Sequence, residues 1–181
     1  DLTDVNFINN GSITGIMSDN DSYYGYGIYN TATMGDIANT GLISGYGFFG
    51  YGIYNEGTIG KLNNSGIILG SALGNSYGIY NTSNKTIRKL NNIGIILGSV
   101  NGDCIVWGIY NCGYGRITNL NNIGLITVLS ENNSAAYSIR NDSEIVNLNN
   151  IGIISGNCDS VGIYNDGTIG TLNYTGIIYG K

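Results

Sequence analysis

Ile53-Tyr-Asn-Glu-Gly-Thr-Ile59 and Leu62-Asn-Asn-Ser-Gly-Ile-Ile68 are two copies of one pattern, apolar-x-Asn-x-Gly-x-Ile, set nine residues apart. Ile, Tyr and Thr suit strands, whereas Asn and Gly accept positive φ at corners, so the unit reads as a short strand, a turn and another short strand. Side chains alternate along a strand. Ile53 then points inward and Tyr54 outward, and after the corner Thr58 points outward and Ile59 inward.

The same unit recurs along the whole chain. GIYN or a close variant stands at Gly27 to Asn30, Gly52 to Asn55, Gly78 to Asn81, Gly108 to Asn111, Ser138 to Asn141 (as SIRN) and Gly162 to Asn165, with spacings of 25, 26, 30, 30 and 24. The second block, LNNxGIIxG, follows at Leu62, Leu90, Leu120, Leu148 and Leu172, with looser copies at Phe7 to Gly15 and Ile37 to Gly45. Strands this short cannot bury a face alone, so successive units must stack in parallel and share one core. The expectation is an all-β protein, a three-sided parallel β-solenoid of six to seven coils of 24–30 residues. It forms one domain over 1–181, with a degraded first coil over 1–26 and regular coils over 27–181. At a rise of about 4.8 Å per coil the rod is roughly 30 Å long. The variation in coil length is assigned to the third segment, such as SALGNSYG from Ser71 or SVNGDCIVW from Ser99. The leucine-rich repeat, whose length range overlaps, needs LxxLxLxxN, which LNNxGII does not supply.

Stacking places three kinds of column on the rod. Asn30, Asn55, Asn81, Asn111, Asn141 and Asn165 form a structural Asn ladder, each amide bonding to the next coil. Tyr29, Tyr54, Tyr80, Tyr110 and Tyr164, with Arg140 in the same file, form a surface Tyr column, either an aromatic strip for a glycan or partner or a ladder that braces the strands. Ile67, Ile95, Leu125, Ile153 and Ile177 fall outward under strict alternation. Either the Gly corner breaks the alternation and they are core, or they make an apolar strip for lateral assembly.

Composition narrows the function. Gly supplies 30 of 181 residues, charged residues only 10%, and Pro and His are absent. So much Gly with so little charge argues against a helical protein. Without His, Ser-His-Asp and Cys-His triads and HExxH zinc sites are excluded. Seven Lys and Arg at a net charge of −5 leave nothing to neutralise a phosphate backbone, so no nucleic-acid partner is expected. No apolar run approaches about 18 residues, and DLTDVNF lacks both the charged and the apolar part of a signal peptide. The expectation is a soluble chain, mature or a fragment, with no membrane insertion of this segment.

Units such as Asn55-Glu-Gly-Thr-Ile-Gly and Asn64-Ser-Gly-Ile-Ile resemble the β-helical passenger repeats of autotransporter-type, adhesin-like surface proteins of Gram-negative bacteria. The resemblance spans the chain. It implies a right-handed β-helix, secreted or at the cell surface, acting as adhesin, toxin stalk or spacer, with no common catalytic residues.

The residues that could carry chemistry are few. Asp142 and Asp166 occupy one corner in successive coils, and Glu144 stacks on Arg116, an arrangement that could hold a cation or a glycosidase-like carboxylate pair but has no cleft around it. Cys104, Cys112 and Cys158 leave an odd thiol, either an ordinary loop cysteine or one for an intermolecular disulfide. Thr58, Thr86, Arg116, Glu144 and Thr168 make a single file that Arg and Glu spoil for ordering ice. Neither end carries a polar capping repeat, which suggests a piece of a longer passenger or a subunit that stacks end to end into a filament. The expected function is thus a non-enzymatic extracellular structural or adhesive rod without cofactor or metal. Its partners would be itself, end to end or laterally, or a host or cell-surface glycan or protein.

Overall fold

One coil contains the whole construction. Phe49–Asn55, Thr58–Asn64 and Ile67–Ala72 are its three strands, separated by two-residue corners at Glu56-Gly57 and Ser65-Gly66. The structure is a computed structural model that describes residues 5–17, 23–130, 135–157 and 159–181. Each strand pairs in parallel with its equivalents in the coils before and after. The result is three sheets: sheet 1 with six strands from Tyr24–Asn30 to Ser160–Asn165, sheet 2 with seven from Phe7–Asn9 to Thr168–Tyr174, and sheet 3 with seven from Ser12–Ile16 to Ile177–Tyr179. The chain is a three-sided parallel β-solenoid, and no helix forms among the described residues. Phe7–Asn9 and Ser12–Ile16 pair in register with Ile37–Asn39 and Leu42–Tyr46.

Four inward columns fill the core, represented in one coil by Ile53 from sheet 1, Ile59 and Leu62 from sheet 2 and Ile68 from sheet 3, all fully buried. Burying each such side chain stabilises the coil by about 2 kcal/mol. A smaller cluster of Ala72, Val100, Val106, Val128 and Ala136 fills the third corner, between sheets 3 and 1.

Alternation holds in sheet 3 and fails once per strand in the other two. In sheet 2 Ile59 and Leu62 both face inward across Gly60-Lys61, and in sheet 1 Gly52 and Ile53 both face the core. Gly52 is required there, because a Cβ would lie 2.7 Å from Ile68 Cγ2 and 2.5 Å from Gly78 O. The Ile67, Ile95, Leu125, Ile153 and Ile177 column is not core. Sheet 3 keeps strict alternation through Ile68, which takes the inward place, and the column faces solvent, half-buried at Ile95 and Leu125 and more exposed at Ile67, Ile153 and Ile177.

Length variation is not confined to the third corner. The first corner grows from two residues to four after Asn81 and Asn111, with Asn84 (φ 61°) and Gly113 (φ 57°) making the left-handed turn that the longer loop needs.

Candidate functional site

The Asn column lies at the first corner, buried from Asn30 to Asn141 and exposed at Asn165 in the last described coil. Asn30 Nδ2 donates to Asn55 Oδ1 (2.7 Å), Asn55 to Asn81, Asn81 to Asn111 and Asn111 to Asn141 (each 2.8 Å), and Asn141 to Asn165 (2.7 Å). From Asn55 onward each amide also reaches a backbone carbonyl of its own corner, as Asn55 Nδ2 reaches Gly57 O at 3.2 Å, and that carbonyl accepts from Thr86 N of the next coil as well. A second buried ladder occupies the corner between sheets 2 and 3. It joins Asn9, Asn39, Asn64, Asn92, Asn122 and Asn150 at 2.7–2.8 Å. Just outside it, Asn63, Asn91, Asn121, Asn149 and Asn173 make a surface ladder at 2.8–2.9 Å.

Sheet 1 carries two aromatic columns rather than one. The bend at Gly52 turns both Tyr51 and Tyr54 outward, 4.9 Å apart between ring centroids. The outer column holds Tyr29, Tyr54, Tyr80 and Tyr110 at 5.2–5.3 Å steps. The inner column, Tyr26, Tyr51, Tyr77, Trp107 and Tyr137, stacks nearly parallel at 5.2, 4.7, 4.4 and 6.5 Å. Aromatic pairs of this kind contribute about 1 kcal/mol each beyond their burial.

Arg140 replaces a tyrosine in the outer column without interrupting it. Its guanidinium lies 5.2 Å from the Tyr110 ring and 5.4 Å from that of Tyr164, a cation–π bridge between the two. Arg140 Nε donates to Asp142 Oδ1 at 2.9 Å, and Tyr110 Oη donates to Asp142 Oδ2 at 2.7 Å. Asp142 is therefore engaged by Arg140 and Tyr110, and Glu144 pairs with Arg116 at 2.6 Å. Asp166 begins the same corner as Asp142, one coil on. Among the described residues no three His, Cys, Asp or Glu side chains come together as a metal site. Cys104 and Cys112 are unpaired thiols, and Cys158 lies outside the described residues.

The chain matches no known family model, no curated protein and no solved structure. What the site does must be read from its geometry. In the middle of the inner column both ring faces are covered by neighbouring rings, so a sugar has no open aromatic face to stack on there; the solvent meets ring edges and phenol oxygens. The two columns act first as a brace across the parallel strands.

Burial shapes the protonation of that brace. Tyr26 and Tyr77 are pushed up to about 12 by desolvation, and Tyr51, Tyr54, Tyr80 and Tyr110 are raised chiefly by the same cause, with Asp142 beside Tyr110 adding to it. A phenol whose folded-state value lies above the unfolded value near 10 contributes stability that is complete below about pH 10 and lost as pH rises through the folded value. An alkaline titration followed at 295 nm is expected to fall short of the absorbance of all 15 tyrosinates until the rod unfolds above about pH 12. Complete ionisation by about pH 11 with the β-sheet circular dichroism intact would contradict the brace.

Proposed function

We propose that the chain is a non-enzymatic, rod-like structural and adhesive segment presented outside the cell. One observation carries this reading: the hydrogen-bonding and aromatic groups are used along the axis, coil against coil, rather than gathered around a cleft. Two buried Asn ladders run through successive coils, and the carboxylates of Asp142 and Glu144 are neutralised by Arg140 and Arg116 in the wall. Such a wall suits length, stiffness and resistance to proteases, the needs of a spacer or adhesin in an extracellular setting. The resemblance to autotransporter passenger repeats supports the same reading.

Labelling of intact and permeabilised producing cells with an antibody against the rod tests it. Strong signal on intact cells is the expected result, and signal only after permeabilisation overturns the reading.

A second reading, a filament subunit stacking end to end, draws on the last described coil. There Leu172, an inward position, is 44% exposed, and Ile163, Ile169 and Ile178 are only partly covered. That open face accepts a further coil, whether of the same polypeptide or of another copy. Long fibres from this chain alone in negative stain, lost on deletion of residues 1–15, support the filament; monodisperse rods reject it.

A further inference from the structure

Sheet 3 differs from the other two faces in one respect: it carries no charge. Its strands read SITGI, LISGYG, IILGSA, IILGSV, LITVLS, IISG and IIY, and their outward positions hold aliphatic, hydroxyl and Tyr side chains. The corner that joins it to sheet 2 is also uncharged, and it raises a ridge of Ile93, Ile123 and Ile151, exposed to 60, 57 and 63%. Charged side chains stand on the remaining faces, as with Lys61, Lys89, Arg116 and Glu144 on sheet 2 and Arg140 on sheet 1.

We propose that sheet 3 with its isoleucine ridge is a lateral association surface whose occupant is the same face of a second copy of this chain, the two rods lying side by side. Three arguments select that occupant. The first is area. Seven strands at about 4.8 Å and six residues at about 3.3 Å give a footprint of about 600 Å² per copy, so a pair buries about 1,200 Å², above the roughly 1,000 Å² that a specific interface needs. The second is periodicity. The outward side chains of Ile67, Ile95, Leu125 and Ile153 form rows repeating at the strand spacing, and a second solenoid offers rows of the same spacing along the full length of the face. Rows of one copy then seat between rows of the other, and a twofold arrangement makes the patch self-complementary. The third is charge. Two copies that each carry −5 repel least when the faces brought together are the uncharged ones. This pairing is independent of end-to-end stacking, which uses the open coil faces.

Sedimentation velocity on the chain tests the proposal, with Leu97→Glu/Leu125→Glu against Thr58→Glu/Thr86→Glu. The first pair places two charges on sheet 3 and the second places the same two on sheet 2, and all four side chains point outward. The wild-type chain is expected to sediment as a dimer at tens of micromolar, with side-by-side particles of doubled width in negative stain. The sheet 3 variant is expected to weaken the dimer by about 100-fold while keeping the wild-type circular dichroism and melting temperature, and the sheet 2 variant to leave it unchanged. A wild-type monomer at about 100 μM overturns the proposal. So does a sheet 3 variant that dimerises as tightly as wild type, or a dimer of doubled length and single width. A monomeric wild type that binds crystalline cellulose or chitin, and loses that binding in the sheet 3 variant, would assign the face to an insoluble polymer and overturn the second copy as occupant.

Discussion

Replacing Asn111 with alanine is expected to lower the unfolding free energy by about 4 kcal/mol, measured by urea denaturation. The side chain is fully buried. Its Nδ2 donates to Asn141 Oδ1 (2.8 Å), Gly115 O (3.1 Å) and Glu144 O (3.1 Å), and its Oδ1 accepts from Asn81 Nδ2 (2.8 Å). Alanine removes four hydrogen bonds of about 1 kcal/mol net each and leaves Asn141 Oδ1 without its donor, whereas Asn81 Nδ2 keeps Lys85 O as acceptor (3.0 Å) and Gly115 O keeps Glu144 N as donor. Asn111→Asp is expected to be worse despite its shape, because a carboxylate can only accept, and it would face the oxygens of Asn141, Gly115 and Glu144. Asn165 is the control. It is exposed, and its own amide donates to Gly167 O at 2.9 Å, so Asn165→Ala should cost less than about 1 kcal/mol. Equal losses at the two positions would mean that the ladder is not the source of the stability.

The Asn column and the inward Ile columns were legible because each recurs in register in every coil, and a side chain repeated at the coil period has a copy of itself as its neighbour. The second ladder was within reach of the same reasoning. The nine-residue offset that superposes Ile53 on Leu62 also superposes Asn55 on Asn64, so what holds at one corner holds at the next. The inner aromatic column was hidden for a definite reason. Tyr51 shares the parity of Ile53, and a period of two turns it inward; the bend at Gly52 reverses the parity and brings it out beside Tyr54. Parity likewise could not decide the Ile67 column, whose side depends on whether the preceding Gly corner shifts the alternation. The longer first corners after Asn81 and Asn111 went unrecognised because the spacing of one Asn to the next sums all three corners and does not say which of them grew.

Gly124→Ala is expected to cost about 3 kcal/mol, and the contrast with Gly11→Ala tells why. Both glycines follow a ladder Asn at the corner between sheets 2 and 3, and neither has a positive φ, so a turn-forming role would make the two substitutions alike. Close approach makes them differ. A Cβ on Gly124 would lie 2.1 Å from Gly94 O and 2.6 Å from Ile93 C, backbone atoms fixed by the coil before, and Gly94 stands in the same relation to Gly66 O at 2.1 Å. The clash cannot be relieved by a rotamer; the two coils must separate at that corner. Separation stretches the Asn92 to Asn122 bond of 2.8 Å and lifts Ile126 from Ile96 in the core. Around Gly11 there is nothing within 4 Å, so alanine there should change stability by less than about 0.5 kcal/mol. Equal costs in chemical denaturation would move the requirement for glycine from coil spacing to turn conformation. A loss confined to Gly124 would mean that the spacing of one coil on the next is set by glycines in contact across the corner.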